Sequence, residues 1–318
     1  MRTGFGGTDI RLHPWHPLRY SYAMGSHHLT DEQIAFFDAN GYLILRNWIT
    51  GPLLEALQSA GTVWMERGTS PDLSEAERGD YAWAKREVGE VMYRVDYLHD
   101  KGQEASLAML GAPQVLGVAE SLCGRNFVPT YESMVFKQEG DGEVIRWHQD
   151  AVHPRKHRIF NYDLYLDSSR QGAGALVVIP GSQRDRLDAC RLEEEHGWSP
   201  PGSTVVEMEP GDVLLHDVMV VHGSPRALGN ALRRTIYYEF RAAEQILEEG
   251  PWDIHWVTSR LKLIPLGLRA FARMFPDSPQ FHWQPDPQFQ QEIEPDADLK
   301  IAHVVHTPGS HCSAGSVL

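Results

Sequence analysis

Hydrophobic positions recur along this chain in two rhythms, helical at first and then strand-like. Thr30 and Gln33 form a capping-box pattern, with Leu29 and Ile34 placed as a hydrophobic staple. The predicted helix runs through Phe36 and Phe37 to Gly41, a residue suited to the C′ position. Tyr42–Leu45 reads as a strand. A second helix is predicted from Thr50, with Pro52 in its first turn and Leu53, Leu57 and Trp64 before Gly68. Residues 69–92 are polar and charged and predict a long loop. Two short helices around 103–110 and 113–122 are split by Gly111 and Pro113.

From about residue 126 the period shortens. Tyr131–Lys137, Ile145–Asp150, Phe160–Asp167, Ala175–Ile179, Thr204–Met208, Val213–Leu215, Met219–Val221 and Thr235–Arg241 read as strands, punctuated by Pro180-Gly181 and Pro210-Gly211. Eight short strands after a helical start predict a mostly β fold with flanking helices, an antiparallel double-sheet jelly roll. Beyond Ala243 the chain reads as helical or irregular, with Leu261–Phe271 amphipathic and a Pro-rich tail from about 285. Three parts result: an irregular extension over 1–28, a domain over 29–243, and a C-terminal extension over 244–318.

The 318 residues carry a formal net charge of -14, which argues against broad binding to nucleic acid or to an anionic membrane surface. No apolar run reaches transmembrane length. Cys123, Cys190 and Cys312 have no metal-binding or disulfide spacing, so free thiols and a cytoplasmic enzyme are expected.

Chemistry concentrates at His148-Gln149-Asp150. On a strand, residues i and i+2 share a face, so His148 and Asp150 point together while Trp147 and Gln149 point away. His222 follows the run Val218–Val221 at a strand end. Two imidazoles and a carboxylate form the set that holds Fe(II) on one face and leaves the remaining positions open. An HxD triple alone arises easily by chance, and a surface His and Asp is the plainer alternative.

The surrounding phrases are more specific. LTDEQIAFFDANGYLIL, WHQD at 147–150, GALVVIPGSQ at 174–183, PGDVLLHDVMVVHGS at 210–224 and LRRTIYYEFR at 232–241 resemble the phytanoyl-CoA dioxygenase family of Fe(II)/2-oxoglutarate-dependent oxygenases over roughly residues 29–243. The resemblance implies a double-stranded β-helix, the jelly roll reached above. It makes His148, Asp150 and His222 the iron ligands and 2-oxoglutarate and O2 the cosubstrates. It also implies hydroxylation of an aliphatic C–H bond of a small metabolite, with release of succinate and CO2. Related halogenases carry a small residue where this chain keeps Asp150, which favours hydroxylation.

A planar guanidinium suits the distal carboxylate of 2-oxoglutarate. Alternation along the strand leaves Arg233 and Arg234 both open; the family spacing selects Arg233. By the same resemblance Ser224 assists that carboxylate and Arg94 adds a further basic contact. Ser133 and Asp163 share pocket-facing parity, with ordinary strand positions the plainer reading. Tyr131, Trp147, Tyr165 and Tyr238 receive no role, because aromatics on strands are usually core.

Arg146, Arg155, Lys156 and Arg158 either form a basic rim for an anionic substrate or lie solvated in a loop. His153 and His157 fall in that loop. His216-Asp217 lacks i, i+2 geometry and is set aside. His303, His306 and His311 are expected to be a disordered tail. The competing function is a cupin-type metalloprotein, an isomerase or ligand-binding protein without 2-oxoglutarate; Arg233 and Ser224 speak against it. Oligomeric state is not readable from the sequence.

Overall fold

The computed structural model describes residues 27–86, 89–137, 144–151, 156–228, 232–293, 301–303 and 310–311. The expectations for residues 1–26, His153, Arg155, His306 and Cys312 lie outside the described residues. Helix α1 (Asp31–Asn40) starts with the expected capping box: Gln33 N donates to Thr30 Oγ1 at 3.2 Å and Thr30 N to Gln33 Oε1 at 2.9 Å. Gly41 ends it at φ +75°, where a side chain would be strained. Then follow β1 (Tyr42–Leu45), α2 (Gly51–Gly68), α3 (Glu75–Arg78), β2 (Tyr81–Arg86), β3 (Gly89–Asp96), α4 (Glu104–Gly111) and α5 (Pro113–Cys123).

The long loop expected over 69–92 is therefore corrected. Its second half forms an antiparallel pair, β2 with β3, at the edge of a sheet. The residues are largely half-buried, so the pair carries polar and charged side chains that read as loop.

The roll itself comprises β4 (Phe127–Lys137), β5 (Ile145–Gln149), β6 (Phe160–Tyr165), β7 (Leu176–Val178), α6 (Ala189–His196), β8 (Thr204–Val206), β9 (Val213–Asp217), β10 (His222–Ser224) and β11 (Arg233–Ala242). Helices α7 (Ala243–Glu249), α8 (Ile254–Leu261) and α9 (Leu263–Met274) follow, and β12 (Ser310–His311) comes last. A seven-stranded sheet runs β1-β9-β6-β11-β4-β3-β2 and a five-stranded sheet runs β12-β5-β10-β7-β8. The expected jelly roll with flanking helices is what these antiparallel sheets form. One strand moves: residues 218–220 are a turn, and pairing begins at His222 instead of ending just before it.

Alternation decides what each face meets. Along β11, Ile236, Tyr238 and Phe240 point out of the roll into a core shared with Leu57, Trp64, Met109, Leu116, Leu263 and Phe271. Tyr42, Tyr165, Leu176, Val178, Val206 and Leu214 pack between the sheets. Trp147 turns outward, as expected, onto Ala189, Val177 and Trp198.

The C-terminal helices are built into the outer core. Gly111 of α4 and Gly267 of α9 touch backbone to backbone; a Cβ at Gly111 would lie 2.0 Å from the Gly267 carbonyl oxygen. Arg260 of α8 is wholly buried and forms an ion pair with wholly buried Glu132 of β4, whose other oxygen meets His99. Burial alone would push the Glu132 carboxyl up, but Arg260 and His99 outweigh it and bring it down to about 2. The disorder expected at His303 is corrected: its ring stacks on Tyr97, centroids 3.5 Å apart. Removing one partner of a buried pair strands a charge, so Arg260→Met is expected to cost about 3–5 kcal/mol. The double change Glu132→Leu with Arg260→Met should recover most of that loss in chemical denaturation.

Candidate metal and cosubstrate site

Strand pairing assembles the site. His222 of β10 lies directly opposite His148 of β5 in the antiparallel register, and their rings sit 4.2 Å apart. Asp150 follows β5 by one residue. His148 Nε2 is 3.2 Å and His222 Nε2 3.7 Å from Asp150 Oδ1. Ligand atoms of all three lie within 4.8 Å of one another.

Main-chain carbonyls orient both imidazoles. His148 Nδ1 bonds the Arg146 carbonyl oxygen at 2.8 Å and His222 Nδ1 the Val220 carbonyl oxygen at 3.0 Å. A carbonyl can only accept, so each Nδ1 donates to it, and the ring is turned so that Nε2 faces Asp150. Burial, then the neighbouring His148, brings His222 down to about 3, so it is neutral. The observed separations suit donor atoms roughly 2 Å from a shared ion.

The second oxygen of Asp150 is held from the large sheet. Asn161 Nδ2 donates to Oδ2 at 2.9 Å, and His216 Nε2 lies 3.0 Å from it. His216 Nδ1 meets Asp163 Oδ2 at 2.7 Å. Burial would lower the His216 pKa, but Asp163 and Asp150 on either side raise it to about 10, so it donates to both carboxylates. Asp150 is itself held well below the usual range: its burial is outweighed by His222, His148 and His216. His216 is not among the three converging ligand atoms, but it supports one of them. Its partner is Asp150 across the roll, not its sequence neighbour Asp217. Parity on β6 was the available signal, since Asn161 shares the face of Asp163.

Farther along the interior, Arg233 and Arg234 separate by face. Arg234 points outward and pairs with Asp167 at 2.8 Å. Arg233 points inward, bonding Gly174 O and, at 3.4 Å, Ser224 Oγ; among the described residues it forms no ion pair. Ser224 Oγ donates to Gly174 O at 2.6 Å. Buried Thr235 Oγ1 has no described partner. The interior therefore presents a buried guanidinium, a hydroxyl and an orphaned hydroxyl in addition to the triad, which fits a small dicarboxylate lying between the sheets.

Arg94 and Asp163 also lie on the inner face. Arg94 Nε is 2.9 Å from Asp96 Oδ1, which accepts from Tyr131 Oη at 2.5 Å. Ser133 is buried in register with Asp96 and Tyr237. Tyr238 instead bonds Ser106 O in the outer core. Arg146, Lys156 and Arg158 pair with Glu193, Glu248 and Asp38. Lys156, His157 and Arg158 line an open cleft of about 1020 Å³ that includes none of the triad. The described residues of this set are therefore largely neutralised. His311 places its backbone in register with His148 through β12.

The chain belongs to the phytanoyl-CoA dioxygenase (PhyH) family, whose profile matches residues 37–235. It is 20% identical over 256 residues to the peroxisomal phytanoyl-CoA dioxygenase of Homo sapiens, covering 72% of this chain and 73% of that protein. Among solved structures it is similar to EvdMO1, with a TM-score of 0.58 and 26% identity; 67% of this chain matches, and it spans half of that chain. It also resembles EctD from S. alaskensis, solved with 2-oxoglutarate and 5-hydroxyectoine, with a TM-score of 0.56, 19% identity and 72% and 81% of the two chains covered. The expected class is thereby established: an iron- and 2-oxoglutarate-dependent oxygenase acting on a small molecule. No single described helix is long and apolar enough to cross a membrane.

His216 is one of two clamps on Asp150. Replacing it with Phe is expected to weaken divalent-metal affinity by about 10- to 100-fold. Co(II) titration of the purified protein reads this directly.

Proposed function

We propose that His148, His222 and Asp150 hold Fe(II), that Arg233 and Ser224 receive the distal carboxylate of 2-oxoglutarate, and that the enzyme hydroxylates an aliphatic C–H bond of a small metabolite. One observation carries this reading. Two imidazole nitrogens and a carboxylate oxygen converge inside the same roll that buries Arg233, which forms no ion pair among the described residues. Bound iron and 2-oxo acid together supply the oxidising chemistry with O2, leaving succinate and CO2.

The residues of this chain contribute placement. The carbonyls of Arg146 and Val220 fix the tautomers that leave Nε2 free to ligate. Asn161 and His216 occupy Asp150 Oδ2, so Oδ1 is the oxygen turned to His148 and His222. Three protein ligands leave the remaining positions to cosubstrate and O2. A carboxylate at 150 fills the place a halide would need, which supports hydroxylation over halogenation. Arg233 supplies planar donors that a carboxylate can accept in parallel.

Arg94 serves the same cosubstrate only indirectly in this reading, because its guanidinium is committed to Asp96. Ion pairing of the rim cations gives an anionic substrate no special support. The net charge of -14 supports a partner that is neither nucleic acid nor an anionic membrane. Cytoplasmic residence belongs to the same proposal, since the three cysteines have no disulfide spacing.

Anaerobic addition of Fe(II) and 2-oxoglutarate should develop the weak visible charge-transfer band of the chelate. A folded protein that shows no band would sink the reading in favour of a cupin-type metalloprotein. Asp150→Ala should abolish succinate release across a panel of small metabolites. Arg233→Ala should raise the 2-oxoglutarate requirement by about 10- to 100-fold, the worth of its charge-assisted hydrogen bonds, with Fe(II) affinity little changed. Equal effects on both would remove Arg233 from the role.

A further inference from the structure

Arg233 has a neighbour that the sequence motifs do not mark. In the antiparallel register of β11 with β4, Arg233 lies directly opposite Lys137. Both side chains are only 5% exposed, and both point into the roll. Lys137 Nζ donates to Ser224 Oγ at 2.8 Å, the hydroxyl that Arg233 Nη1 approaches at 3.4 Å. Ser224 itself is wholly buried. A guanidinium and an ammonium thus converge on one oxygen from adjacent strands, in the interior that also holds the triad.

From this convergence we infer that Lys137 is a second cation for the distal carboxylate of the cosubstrate, a positioning residue beside Arg233. The inference rests on the proposed use of 2-oxoglutarate at this site. A carboxylate placed beside Ser224 would meet both charges at short range. The two cations also differ in what they offer. Arg233 presents a rigid planar fork, whereas Lys137 presents a compact charge on a flexible stem. Together they select strongly for an acid with a carboxylate at its far end.

The test compares two ligands on the Fe(II) protein under argon, by titrating the chelate band. One is 2-oxoglutarate. The other is 2-oxopentanoate, which keeps the 2-oxo acid head and lacks the distal carboxylate. Lys137→Met should weaken 2-oxoglutarate by about tenfold or more, the worth of one charge-assisted hydrogen bond, and move 2-oxopentanoate by less than about twofold. Lys137→Arg, which keeps the charge, should recover most of the affinity. Unchanged 2-oxoglutarate binding in Lys137→Met, or equal weakening of both ligands, overturns the role of Lys137 while the wild-type band leaves the proposed function standing. Absence of the band in the wild-type protein overturns both. If Lys137→Met does not fold, Lys137→Gln carries the same comparison.

Discussion

The antiparallel pairing of β10 with β5 is the constraint on which the site depends. It sets His222 opposite His148 by main-chain hydrogen bonding, before either side chain does anything. A slip of one residue would turn His222 to the other face of the sheet and separate it from the pair at 148 and 150. The same strand carries Ser224 two residues on, on the same face and toward the far end of the interior. Thus one short strand contributes to both ends of the cavity, and its register fixes their separation.

The large sheet answers from the opposite side. Its inner face carries His216, Asn161, Asp163, Thr235, Arg233 and Lys137, whereas its outer face carries Ile236, Tyr238 and Phe240. Polar groups can be afforded inside the roll because they bond one another across it, as Asp163, His216 and Asp150 do. The outer face has no such network and is sealed by helices. Arg260 and Glu132 pin α8 onto that seal, where the charges are buried but matched. Rigidity behind the sheet and polarity in front of it are two halves of one arrangement.

Family membership gives this geometry its chemistry, and the geometry in turn refines the reading of the motifs. Arg234 lies in the same LRRTIYYEFR phrase as Arg233, yet it belongs to the outer layer, tied to Asp167 and to α2 through the Gln58 carbonyl and Thr62. Lys156 and Arg158 lie just beyond the HxD motif, but their acid partners come from distant segments.

Local signals in the sequence were enough for α1, its capping box and its terminating Gly41, and for the alternation that directs Trp147 away from His148, whereas Arg233 was separated from Arg234 only by the family spacing. The local signals rest on interactions between residues a few positions apart, which one sequence displays directly. Other features needed the folded chain. The run Val213–Asp217 is buried throughout, so no alternation shows that His216 faces inward. The charged stretch before Asp96 concealed an edge pair whose polar side chains remain near solvent. Asn161, His216 and Lys137 meet Asp150 and Ser224 only across 11 to 87 positions of chain. Such meetings are set by strand register and sheet order, which no local pattern records.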